Sequence, residues 1–173
     1  MAGEKPTLCL SNFGREHAMN IIGIDPGATG ALASYNGEEL LIYDMPVHGI
    51  KKGKSVRKRI DIIKLLEILA NEKPDHIYIE QVSAQPGNGA ASAFSFGWAC
   101  AVVEACAVAL KLPFTYVTSQ RWKKEMSCPA EKDAARMRAS QLFPKFAHNW
   151  DRKKDHGRAE AALISLYGWQ KSG

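Results

Sequence analysis

Cysteine is scarce in this 173-residue chain, and its four cysteines, Cys9, Cys100, Cys106 and Cys128, form no CxxC pair. That excludes a cysteine-based zinc site and a disulfide framework, and it leaves the thiols as small core residues of a reduced, cytoplasmic protein. The start of the sequence lacks a basic segment followed by an apolar one, so export is not expected. No long uninterrupted hydrophobic run occurs either. The longest apolar stretch, Ala93 to Leu110, is rich in alanine and broken by Ser95, Gly97 and Glu104, which predicts a buried helix and no membrane partner. Internal repeats and low-complexity tracts are also missing, so a fibrous or solenoid protein is excluded.

What remains is 46% hydrophobic and 24% charged, the balance of a chain that buries a core. Residues 1–19 mix Gly, Pro, Ser, Asn and charge without periodicity and are expected to form a loose tail. Met19 stands just before the first strand-like run and is a candidate natural start. Residues 20–173 are expected to form one domain.

The net charge of +5 is distributed unevenly. Lys51, Lys52, Lys54, Arg57, Lys58 and Arg59 form one dense basic run. Arg121, Lys123 and Lys124 form a second, and Arg152, Lys153 and Lys154 a third. Separated basic clusters on one small domain point to a polyanion, nucleic acid first among them, with sequence-independent and salt-dependent contacts to phosphate.

Hydrophobic periodicity supplies the architecture. The run Ile21–Ile24 reads as a buried strand, and Ala31–Tyr35, Asn36-Gly37 and Leu40–Tyr43 as a hairpin. Ile60, Ile62, Ile63, Leu65, Leu66, Ile68 and Leu69 recur at helical spacing up to Pro74. Strands at 76–80 and 114–117 flank the alanine-rich helix, and two more helices are predicted, one with Pro129 at its first position and one from about His156 to Trp169. Three strands, helix, strand, helix, strand and helices predict an α/β fold: a five-stranded mixed sheet flanked by helices, similar to ribonuclease H.

Three acidic residues sit where apolar ones are expected. Asp25 ends the first strand, Glu80 ends the strand at 76–80, and Glu160 interrupts Ala159–Ile164. If the two strands are parallel neighbours, Asp25 and Glu80 meet at their C-terminal ends, the end of an α/β sheet where ligands bind. Carboxylates crowded in this way invite a divalent cation, and oxygen-only ligands suit Mg²⁺ or Mn²⁺. Two such ions could hydrolyse a phosphodiester held by the basic clusters.

Ile22-Gly23-Ile24-Asp25-Pro26-Gly27-Ala28-Thr29-Gly30-Ala31 resembles the opening motif of the RuvC family of Holliday junction resolvases. Ile77-Tyr78-Ile79-Glu80 is similar to that family's second acidic strand, and Asp155-His156-Gly157-Arg158-Ala159-Glu160 to its C-terminal acidic helix, in the manner of the phage-type variants. The resemblance spans nearly everything after Met19. It implies an RNase H-like fold, a homodimer, two Mg²⁺ ions per site and symmetric nicking of four-way DNA junctions. The implied ligands are Asp25, Glu80, Asp155 and Glu160. The family pattern puts a ligand three residues before Glu160, where this chain has Gly157. Asp155 is preferred for its hard oxygen. His156, on the helical face of Glu160, is the alternative, with a water or the scissile phosphate as its other partner. The same resemblance makes Gln81–Gly87 a loop approaching the junction centre and the alanine-rich helix a dimer element. Phe94, Phe96 and Trp122 are expected in the core, Lys123 and Lys124 on phosphate. The competing readings are a nuclease for other branched DNA or structured RNA, an actin-like sugar kinase, and a binding module that does not cut.

Overall fold

The structure, a computed structural model, describes residues 18–53, 55–81, 89–131 and 133–173. Strands β1 (Ile21–Asp25), β2 (Ala31–Tyr35) and β3 (Leu40–Asp44) form an antiparallel meander. Its two connections are the turns at Gly27–Gly30 and Asn36–Glu39. At the second, Asn36 Oδ1 accepts from the backbone of Glu38 and Glu39, and Gly37 takes a φ of 97°. Helix α1 (Ile62–Glu72) starts at Asp61, whose carboxylate accepts from Lys64 N at 3.2 Å. It ends at Lys73 in the left-handed region, just before Pro74.

Strand β6 (His76–Gln81) lies parallel to β1, with Ile22 opposite Ile77 and Ile24 opposite Ile79. Strand β7 (Phe114–Thr118) lies parallel to β6, and the sheet order is β3-β2-β1-β6-β7. The crossover from β6 to β7 is helix α2 (Ala90–Ala109), and β6 directly follows α1. The five-stranded mixed sheet flanked by helices is the one expected.

Alternation along the strands divides the core into two layers. Ile22, Ile24, Ile77 and Ile79 face α1 and α2, packing on Leu65, Leu69, Val102, Val103 and Cys106. Ile21, Ala31, Ala33 and Tyr78 face α5 (His156–Ser172), α4 (Ala134–Leu142) and α3 (Ser119–Glu125), with Trp122, Trp150 and Phe143 filling the layer. Gly23, on this face of β1, lets α5 lie against the strand: a Cβ there would stand 2.3 Å from Ser165 N and 2.4 Å from Ala161 O.

Several expectations are corrected. The basic run is part of a second, two-stranded sheet, β4 (Val47–Lys52) with β5 (Ser55–Ile60), so Ile60 ends a strand and does not begin a helix. Pro129 precedes a loop, and α4 begins only after Asp133. The helix α3 and a 3-10 segment, Pro144–Trp150, were not anticipated from the sequence. Phe94 is 69% exposed and Phe96 37%, both outside the core. On α2 only the face carrying Ala99, Val102, Val103, Cys106 and Ala107 is buried. By length and composition α2 could cross a bilayer, but this face packs on α1 and the sheet. Cys106 and Cys128 are buried and Cys100 is half-buried, while Cys9 lies outside the described residues.

Candidate active site

The site forms where the sheet's two-residue period and its parallel register coincide. On β1, Asp25 shares the face of Ile21 and Gly23; on β6, Glu80 shares the face of Tyr78. Both acids therefore point toward α5, whose first turns carry Glu160. Asp25 and Glu80 are buried, 9% and 7% exposed, and they follow directly on the paired residues Ile24 and Ile79. The turn after β1 holds Asp25 in place: Gly27 N donates to Asp25 Oδ1 at 3.2 Å, and Gly30 N to Gly27 O at 2.8 Å. Glu80 Oε1 accepts from Ser119 Oγ at 2.5 Å and from Trp122 Nε1 at 3.1 Å. Lys123 Nζ lies 3.5 Å from Glu160 Oε1.

Three carboxylates so placed repel one another. Burial first, then the charges of Glu160 and Glu80, push the Asp25 carboxyl up to about 7. Burial and the charge of Glu80 also raise Glu160, while Lys123 and His156 oppose the rise. The cluster thus lacks positive charge, and Lys123 supplies part of it. Among the described residues no three His, Cys, Asp or Glu side chains stand close enough to share one ion. The donor set nevertheless suits a hard divalent cation: carboxylate oxygens, strained by mutual repulsion, with a single ammonium group among them.

Asp155 and His156 go to different places. Asp155 is buried just before α5 but does not cap it; it takes two bonds from the Arg152 guanidinium, 2.8 Å to Oδ2 and 3.0 Å to Oδ1, which hold its carboxyl below the usual range. Its field acts on Asp44 and Arg158. His156 instead borders an open cavity of about 570 Å³ with Glu160, Lys123, Lys153 and Lys154. Gly157, where the family pattern has a ligand, is pressed on the turn after β1: a Cβ would meet Thr29 O at 2.8 Å and Asp25 Oδ2 at 3.0 Å. A side chain there would have to displace the Thr29–Gly30 backbone and crowd the Asp25 carboxylate.

The basic clusters are placed as follows. Lys51, Arg57 and Lys58 are exposed on the β4–β5 hairpin, Lys52 closes β4, and Arg59 stacks 4.4 Å over the Trp98 ring. Lys54 and residues 82–87 of the loop expected to approach the junction centre lie outside the described residues. Arg121 pairs with Glu125 at 3.7 Å, Lys124 is exposed, and Arg152 is held by Asp155.

Sequence reasoning missed two features. Trp122 is in the core as expected, but its indole N–H also anchors Glu80; its position three residues after Ser119, on one helical face, was the available signal. Arg158 makes two 2.6 Å bonds to Asp44 and a third to Asn149 O, clamping the start of α5 two residues before Glu160.

No family model and no curated protein matches the chain. Solved structures do. T. thermophilus RuvC in complex with Holliday junction substrate is 19% identical with a TM-score of 0.62, over 89% of this chain and 95% of that one. A second Thermus thermophilus RuvC structure gives 21% and 0.57, over 89% and 96%. The yeast mitochondrial Holliday junction resolvase Ydc2 gives 15% and 0.51, over 89% and 81%. Along almost its whole described length, the chain has the RNase H-like fold of RuvC.

Proposed function

We propose that the protein is a divalent-metal-dependent endonuclease that resolves four-way DNA junctions as a homodimer. The observation that carries the reading is the convergence of Asp25, Glu80 and Glu160 from two parallel strands and one helix at the open end of the sheet. The fold shared with three resolvase structures supports it.

Asp25, Glu80 and Glu160 would hold Mg²⁺ or Mn²⁺, two ions per site, with His156 beside them. Asp155 would join only by leaving Arg152, so His156 is the better placed of the two. Bound there, such ions would supply a water of lowered pKa and neutralise charge on the departing oxygen. The protein's own part is to bind and orient. Burial keeps Asp25 and Glu80 fixed, Ser119 and Trp122 set the rotamer of Glu80, and Lys123 must leave Glu160 for a phosphate or compete with a cation there. Lys153 and Lys154, on the rim of the cavity beside His156, would take the phosphates of an approaching strand. Two like nicks need two sites related by a two-fold axis. The exposed stripe Phe94, Gly97, Ala101, Ala105 and Val108 on α2 is small and apolar enough to serve as the seam.

The test is digestion of a mobile four-way junction in Mg²⁺, beside three-way, flap and linear duplex substrates. Wild type should nick the four-way junction in symmetric strands, and Asp25→Asn should lose cleavage by at least about a thousandfold while binding the junction within a few fold. Cleavage retained in that variant, or equal cutting of linear duplex, contradicts the proposal.

A further inference from the structure

Beside the acidic cluster runs a groove that the junction-cutting scheme does not use. One wall is the β4–β5 hairpin, with Arg57, Lys58 and Arg59; the other is the first half of α2, with Phe96 and Trp98; the floor is small, made by Ala28, Ser92 and Ser95. Two adjoining cavities, of about 210 and 340 Å³, share Ala28, Lys58, Ser92 and Ser95 and make the groove continuous. Its inner end is the turn after β1. A Cβ on Gly27 would stand 3.7 Å from Phe96 Cε1, and Gly27 N is bonded to Asp25. The groove therefore leads from the hairpin to the residue at the centre of the site.

We infer that this groove seats an unpaired nucleic-acid strand, its phosphates along Arg57 and Lys58 and a base against Phe96 and Trp98. The inference rests on the nucleic-acid reading above and names the strand form that reaches the site. The walls differ in kind, and that difference is what selects a single strand. A duplex offers phosphates but hides its base faces, so an aromatic wall brings it nothing. An unpaired strand offers both, and stacking on aromatic side chains beside a cationic track is how such strands are held without sequence preference. Arg59 contributes through Trp98: its guanidinium covers the indole, and a stacked guanidinium can still direct its N–H groups to phosphate. Of the outward stripe of α2 only Phe94 borders the groove, at its outer cavity; Phe96 and Trp98 lie on the hairpin side of the helix, near the buried Ala99.

The full-length protein is titrated with a fluorescein-labelled dT 12-mer and with a 20-base-pair duplex, following anisotropy. Phe96→Ala should weaken the dT 12-mer by about tenfold and the duplex by less than twofold. Lys58→Gln should lower the salt slope of single-strand binding by about 0.7. Equal losses on both ligands, or none on either, overturn the inference. Independently of any variant, wild type irradiated with 5-iododeoxyuridine-substituted dT should give a cross-linked peptide containing Phe96 or Trp98, and cross-links confined to other peptides would sink it. Asp25→Asn should keep all of these properties. A groove that passes in a protein that cuts no junction would refute only the resolvase reading, and a cut junction with no single-strand preference would refute only the groove.

Discussion

Helices α2 and α5 read alike in the sequence, both rich in alanine and long enough to span the sheet, yet the fold uses them in opposite ways. Nearly all of α5 from Ala159 to Gly168 is buried, against four strands and α4. Less than half of α2 is, although it is the more apolar of the two. Glycine marks the difference. A Cβ on Gly168 would stand 2.3 Å from the Tyr78 ring and one on Gly23 2.3 Å from the α5 backbone, whereas a Cβ on Gly97 of α2 meets nothing within 4 Å. Close backbone approach fixes α5, and with it Glu160, to within the tolerance a carboxylate cluster needs. The loose seat of α2 leaves aromatic and small residues open to a partner. Apolar content alone does not tell a core helix from a contact helix.

The contrast can be broken most severely at Gly23. Gly23→Ala forces a methyl group into the backbone of α5 and should cost about 3 kcal/mol or more, read as a lower urea midpoint, whereas Gly97→Ala should leave the midpoint unchanged or slightly raised.

A second test uses the charge trapped under α5. In metal-free protein the folded Asp25 binds its proton up to about pH 7, while the unfolded carboxyl releases it near 3.8. The folded state thus holds more protons between those values, so stability falls as pH rises from about 4 to 7 and is level above. Asp25→Asn removes this loss. It should stabilise the chelator-treated protein at pH 8 by up to about 4 kcal/mol and have little effect at pH 4. Thermal unfolding of both proteins across this range measures it, and a gain over wild type no larger at pH 8 than at pH 4 would show Asp25 to be ionised without strain.

Arg158→Ala probes the clamp at the start of α5. Losing its bonds to Asp44 and Asn149 should cost about 1 kcal/mol, since Asp44 is largely exposed. Cleavage should fall further than stability does, because Glu160 lies two residues on. The smallest effect is expected on the other helix. Val108→Ser, at a site 59% exposed, should shift monomer stability by less than about 0.5 kcal/mol while weakening self-association in sedimentation.

Much of the sheet could be read directly from the residues. β-branched runs, an Asn-Gly turn and a helix closed by Pro74 constrained the strand order, and a strand that follows a helix was expected to run parallel to the first. That was enough to bring Asp25 and Glu80 together in advance. The hairpin β4–β5 was hidden, because its Lys and Arg side chains mask the alternation that marks a strand. Phe94 and Phe96 were misplaced for a related reason: hydrophobicity records what a residue prefers, not whether the fold has room to cover it.

The sequence by itself determined the alternation of each strand, and so which acids point to the same side of the sheet, because side-chain direction in a strand is a local property with period two. Only the tertiary structure decided that His156 faces the cavity with Lys123, that Trp122 holds Glu80, and that α2 stays half uncovered. Those choices depend on which charges and rings arrive from distant segments, and no neighbour along the chain carries that information.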